Sequence, residues 1–110
     1  MEITERDYRR VTVLRVIGRV DASTAVQFET RLKESIAGEH AHIVLEMDGT
    51  DYLSSAGARI LISGQKALKS KGGKLMIANP SERVKEVLAL AGLESIFPTY
   101  DTTEAAVGAV

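Results

Sequence analysis

The chain contains no cysteine, which excludes a disulfide framework, a thiol nucleophile and cysteine-ligated zinc together. It also lacks a long apolar run. No stretch approaches the roughly 18 apolar residues of a membrane span, and the segment Met1 to Arg10 is charged, with no apolar signal core. A cytoplasmic protein with no membrane partner is the expectation. An excess of positive charge is missing as well: lysine and arginine number 14 against 15 acidic residues, for a net charge of -1. No broad positive field therefore draws in nucleic-acid phosphate, and no direct nucleic-acid partner is expected. Internal repeats, linkers and low-complexity tracts are absent too.

What is present suffices for one hydrophobic core. With 110 residues and 45% apolar content, the chain has the size of one domain over residues 1–110. Glu2 to Glu5 reads as a short strand, Asp7 to Arg10 as a polar turn, and the β-branched run Val11 to Gly18 as a second strand. The segment Arg19 to Thr24 offers several capping side chains, after which Ala25, Phe28, Leu32 and Ile36 recur at helical spacing up to about Gly38. His42 to Met47 is a short apolar run too brief for a helix and reads as a central strand. Asp48 to Leu53 leads into a helix from Ser55 to about Lys71, with an apolar stripe through Ile60, Leu61 and Leu68.

Lys74 to Ala78 is the next strand, ended by Asn79-Pro80. Ser81 announces a third helix with Val84, Val87, Leu88 and Ala91 on one face and Gly92 at its end. Ile96-Phe97 reads as a short strand before Pro98, and Thr102-Thr103-Glu104 opens a weak terminal helix. Alternation of strands and helices after a hairpin predicts an α/β fold, with a mixed sheet of four to five strands and helices packed against it.

Ser54 and Ser55 hold the chemically most suggestive position. One of them suits the N-cap of the second helix, accepting a hydrogen bond from an early helical N–H. A phosphate is electrostatically tolerated at the same place, because the first turn of a helix exposes N–H groups and partial positive charge. Arg59, four residues after Ser55, can reach back towards such a phosphate. Asp48 and Asp51 read as turn residues, and His40 and His42 lie at the start of a strand without a third ligand. Gly72-Gly73-Lys74 lacks the full phosphate-loop pattern and reads as a helix-ending turn. Gly18-Arg19-Val20-Asp21, a glycine followed by a charged loop, suits part of a docking surface. No catalytic residue, metal site or cofactor is expected.

These segments, in their order, resemble one family. Gly18-Arg19-Val20-Asp21, the strand Ile43 to Met47, Tyr52-Leu53-Ser54-Ser55-Ala56-Gly57, Gly73 to Ile77, and Val84 to Leu93 together resemble the STAS-domain anti-sigma factor antagonists over essentially the whole chain. The resemblance implies a single STAS-like domain that is a regulator and not an enzyme. It implies a partner-switching cycle: the unphosphorylated antagonist binds an anti-sigma factor that is also a serine kinase, phosphorylation releases it, and a serine phosphatase resets it.

Many members read Asp-Ser-Ser-Gly at the second helix, with the second serine phosphorylated. Laid on this chain with Gly57 as the shared glycine, that serine falls on Ala56, which cannot accept a phosphate. The expected acceptor is therefore Ser55, with Ser54 as second choice. The expected contact surface comprises Gly18, Arg19, Val20, Asp21, Ser54, Ser55, Ala56, Gly57 and Arg59. A non-phosphorylated STAS accessory subunit of a transport or signalling complex is the alternative that Ala56 favours, and a small-molecule or nucleotide-binding domain is a third.

Overall fold

A computed structural model describes residues 1–110. The chain begins with a hairpin of β1 (Glu2–Tyr8) and β2 (Val11–Val20), joined by a turn in which Arg9 takes a left-handed φ of 60°. Then follow α1 (Ala25–Ile36), β3 (His42–Glu46), β4 (Thr50–Leu53), α2 (Ser55–Ser70), β5 (Lys74–Ala78), α3 (Glu82–Leu90), β6 (Thr99–Tyr100) and α4 (Thr103–Gly108). The sheet runs β1-β2-β3-β5-β6, antiparallel in the hairpin and parallel from β2 onward, and β4 pairs in parallel with the far end of β2.

Both faces of the sheet are covered, which is why β3 and β5 are nearly continuous apolar runs. Leu14, Ile43, Leu45, Leu75 and Ile77 face α1, α2 and α3 in the larger core, alongside Phe28, Leu32, Leu61, Leu68 and Leu88. Val11, Val13, Val44 and Met76 point the other way, against Ala106 and Val107 of α4.

The expected mixed α/β architecture forms, and four local readings change. β2 runs on to Val20, so Arg19 and Val20 belong to the strand and pair with β4 and are not part of a loop. β1 extends to Tyr8, so only Arg9 and Arg10 form the turn. Asp48 to Leu53 contains a true strand, β4, which brings the strand count to six. Ile96-Phe97 is not a strand: both N–H groups fold back on the Leu93 carbonyl, at 2.9 and 3.3 Å, and Phe97 is fully buried. The edge strand forms two residues later, where the Pro98 carbonyl accepts from Ile77 and that of Tyr100 from Asn79. Core burial of the Phe97 ring decides that segment, and strand pairing follows it.

Two buried polar groups fasten the layers. The Gln65 side chain, on α2, donates to the carbonyls of Leu75 and Ile96 at 3.0 and 2.8 Å and accepts from the Leu75 N–H at 2.7 Å. It thereby satisfies Leu75 where β6 is too short to pair with it. On the other face, Arg6 makes a two-pronged pair with Glu46, each contact 2.8 Å, and Thr103 of α4 donates to the same carboxylate.

The Arg6 hydrogen bonds, helped by Thr103, hold the Glu46 carboxyl below the ordinary carboxylate range. A depressed folded-state value contributes stability that is present above the unfolded-state value and lost as pH falls through the folded one. Arg6 is half exposed, which limits the pair's worth. Glu46→Gln is therefore expected to cost about 1–2 kcal/mol at neutral pH. It should also lose less stability than the wild type on acidification below about pH 4.5, as urea denaturation at pH 7 and pH 3 would show.

Candidate functional site

β4 delivers the serines. Its polar sequence is held by its surroundings: the buried Thr50 hydroxyl donates to the Val16 carbonyl at 2.8 Å, and Ser81 at the head of α3 donates to the Thr50 carbonyl at 2.6 Å. At the end of β4 the Ser54 N–H donates to the Val20 carbonyl at 2.8 Å, so the chain leaves the sheet at a fixed point. Ser54 is the N-cap of α2, and its hydroxyl accepts from the Gly57 N–H at 3.1 Å. Gly57 itself is pressed onto the sheet, where a Cβ would lie 2.7 Å from a Leu53 methyl and 2.8 Å from a Val20 methyl. Absence of a side chain there lets the first turn of α2 sit directly over β2 and β4.

Ser55 is the first residue of α2 and is exposed, and its hydroxyl makes no hydrogen bond. The two serines thus differ sharply: the Ser54 hydroxyl is committed to the cap and that of Ser55 is free. Ser55 lies on the rim of a groove of about 540 Å³ between α2 and α3. Leu53, Ala58, Ile62, Val87 and Leu93 supply its apolar lining, Arg59 and Arg83 its cationic groups, and Glu86 its one carboxylate. Leu90 stands on the same groove and is 89% exposed, more than any other large apolar side chain of the chain.

The end of β2 and the loop after it abut this site. Arg19 lies opposite Tyr52 in the β2–β4 pairing, and its guanidinium sits 4.4 Å from the centre of the Tyr52 ring. Arg83, from α3, approaches the same ring at 5.2 Å. Asp21 holds Arg19 at 3.3 Å, and Glu86 holds Arg83 at 3.4 Å. A row of carboxylate, guanidinium, ring, guanidinium and carboxylate therefore links the end of β2 and the loop after it to β4 and α3, with each cation over a ring face that attracts it. Hydrogen bonds from the Ser23 hydroxyl and backbone N–H, and from Arg19, hold Asp21 below the ordinary carboxylate range.

The capping side chains of this loop act differently from expectation. Thr24 heads α1 without a side-chain cap bond, and its hydroxyl instead donates to the Arg19 carbonyl at 2.8 Å and accepts from the Asp21 N–H at 2.9 Å. They fasten the loop and not the helix.

Of the residues expected on the contact surface, Arg19, Asp21, Ser54, Ser55 and Arg59 gather around the start of α2 with side chains at least partly exposed. Val20 and Gly57 are buried beneath them and offer no side-chain surface. Gly18 is held to Gly49, donating to its carbonyl at 2.9 Å. Ala56 is half-buried and does not line the groove. His42 pairs with the start of β2 and Leu53 with its end, a separation of about 30 Å at about 3.3 Å per residue. Neither His42 nor its neighbour His40 can act as a base for Ser55. Tyr52, Arg83 and Leu90 are the site residues that sequence reasoning did not single out. Only Tyr52 carried a signal, standing next to the serine motif; the other two are brought in by the packing of α3.

A sequence model of the family described as the STAS domain matches residues 2–106. The fold is thus that of a STAS domain. Among relatives, BtrV of Bordetella bronchiseptica, named a candidate anti-sigma factor antagonist, is 34% identical over 92 residues, covering 84% of this chain and 79% of its own. The chain belongs to the STAS-domain anti-sigma factor antagonist family. An anti-sigma factor antagonist from Mycobacterium paratuberculosis superimposes with a TM-score of 0.90 at 26% identity, over 99% of this chain and 92% of that one. The Bacillus cell fate determinant SpoIIAA in its phosphorylated form has a TM-score of 0.75 at 20% identity, over 98% of each chain, a likeness of fold alone. No helix is long and apolar enough to cross a membrane.

Proposed function

We propose that this chain is the antagonist of a partner switch. Unphosphorylated, it binds an anti-sigma factor that is also a serine kinase, through the start of α2, the Arg19 to Asp21 segment at the end of β2 and the α2–α3 groove. Transfer of the terminal phosphoryl group of ATP to the Ser55 oxygen ends that binding, and a serine phosphatase restores it. The reading is one of binding and regulation, not of catalysis by this chain.

The observation that carries it is the contrast between the two serines: Ser55 is exposed with a free hydroxyl at the groove rim, and Ser54 is engaged as the cap. Phosphate added at Ser55 would bring a charge of about -1.5 to -2 without breaking a bond of the fold, and the helix start tolerates it. That the same fold exists in a phosphorylated form in SpoIIAA is consistent with this. Incubation with the cognate kinase and ATP is expected to add one phosphate, mapped to Ser55 by intact-mass and peptide analysis. No phosphate, or one at another residue, would overturn the assignment. Ala56, at the position where many members carry the acceptor, is what favours a second reading, a STAS accessory subunit that uses the same face without phosphorylation.

A further inference from the structure

The cationic groups of the groove are unequally committed. Arg59 is exposed, takes part in no ion pair, and lies four residues beyond Ser55 on α2, so its side chain leans back towards the start of the helix. Arg83, across the groove on α3, is half exposed and loosely held, 3.4 Å from a Glu86 carboxylate that is 60% exposed and 5.2 Å from the Tyr52 ring. An exposed pair of this kind is worth little. Arg19 is already tied to Asp21 and closer to the ring, and it does not line the groove. Two guanidinium groups, one on each helix, therefore flank an apolar floor that has a single carboxylate, with the free Ser55 hydroxyl at the same groove.

We propose that a phosphate on Ser55 is gripped across this groove by Arg59 and Arg83, so that the modified chain fills its own docking groove. This rests on the reading of Ser55 as the acceptor. A phosphate carries more charge than Glu86 and presents three acceptor oxygens to the planar guanidinium forks, so it outcompetes Glu86 for Arg83. Bridging α2 to α3 would cover the apolar floor and withdraw both arginines from a partner. Release would then follow from occupancy of the groove and not from charge repulsion alone.

The test installs phosphoserine at position 55 during synthesis by genetic code expansion, so no kinase is needed and failure of kinase recognition is scored separately. Phosphorus NMR across a pH titration reads the second ionisation of the phosphate. In the folded chain it is expected to fall from about 6 towards about 5, because adjacent cations favour the dianion. Arg59→Gln and Arg83→Gln should each move it back up, and the double variant should keep only the smaller lowering that the start of the helix supplies. The same titration in folded and unfolded phosphoprotein, or no movement in Arg83→Gln, would overturn the proposal.

Discussion

Replacing Gly73 with alanine is expected to cost at least about 3 kcal/mol, through a clash that no side-chain rotation can relieve. A Cβ at Gly73 would lie 1.6 Å from the carbonyl oxygen of Ala41 and 2.3 Å from its carbon. That carbonyl accepts from the Lys74 N–H at 3.1 Å, at the start of the β3–β5 pairing, so pushing it aside breaks a hydrogen bond in the middle of the sheet. The Gly73 N–H meanwhile donates to the Leu68 carbonyl at 2.9 Å and ends α2, so the residue cannot move the other way. A thermal midpoint lowered by more than about 10 °C is expected by circular dichroism. Gly108→Ala is the control: its Cβ meets nothing within 4 Å in α4, and the change should be neutral or stabilising by up to about 1 kcal/mol. Similar midpoints for the two variants would refute the close approach.

Three of the four helix starts were legible because each is written locally. Ser54, Ser81 and Thr102 are short polar residues just ahead of a helix, and each accepts the expected N–H, from Gly57, Val84 and Ala105. β3 and β5 were legible because burial on both faces leaves an unbroken apolar run. β4 was not, since its four residues are mostly polar and are held by Val16, Val20 and Ser81, distant in sequence. Ile96-Phe97 misled for the opposite reason, its apolar character serving the core and not a strand. At the site, the helical spacing of Ser55 and Arg59 anticipated their common groove, whereas the stacking of Arg83 on Tyr52 depends on how α3 packs. Sequence left the choice between Ser54 and Ser55 as acceptor to a motif alignment; the commitment of the Ser54 hydroxyl to its cap adds a physical reason for the proposed order.

Ser55→Asp is expected to separate folding from binding. The exposed side chain has no hydrogen bond to lose, and a negative charge in the first helical turn contributes about 0.3–1 kcal/mol of stability. The variant should therefore be at least as stable as the wild type. Binding should move the other way, by about 100-fold or about 2.7 kcal/mol, because a partner surface shaped around a neutral hydroxyl would have to desolvate a carboxylate without a matching cation. Ser55→Ala removes only the hydroxyl and adds no charge, so the partner surface should close over it with little change.

Isothermal titration of one anti-sigma factor kinase against the wild type, Ser55→Ala and Ser55→Asp tests the switch most directly. Ser55→Ala is predicted to bind within about threefold of the wild type and Ser55→Asp about 100-fold more weakly. Equal affinities for Ser55→Ala and Ser55→Asp would contradict the assignment of Ser55 as the switch.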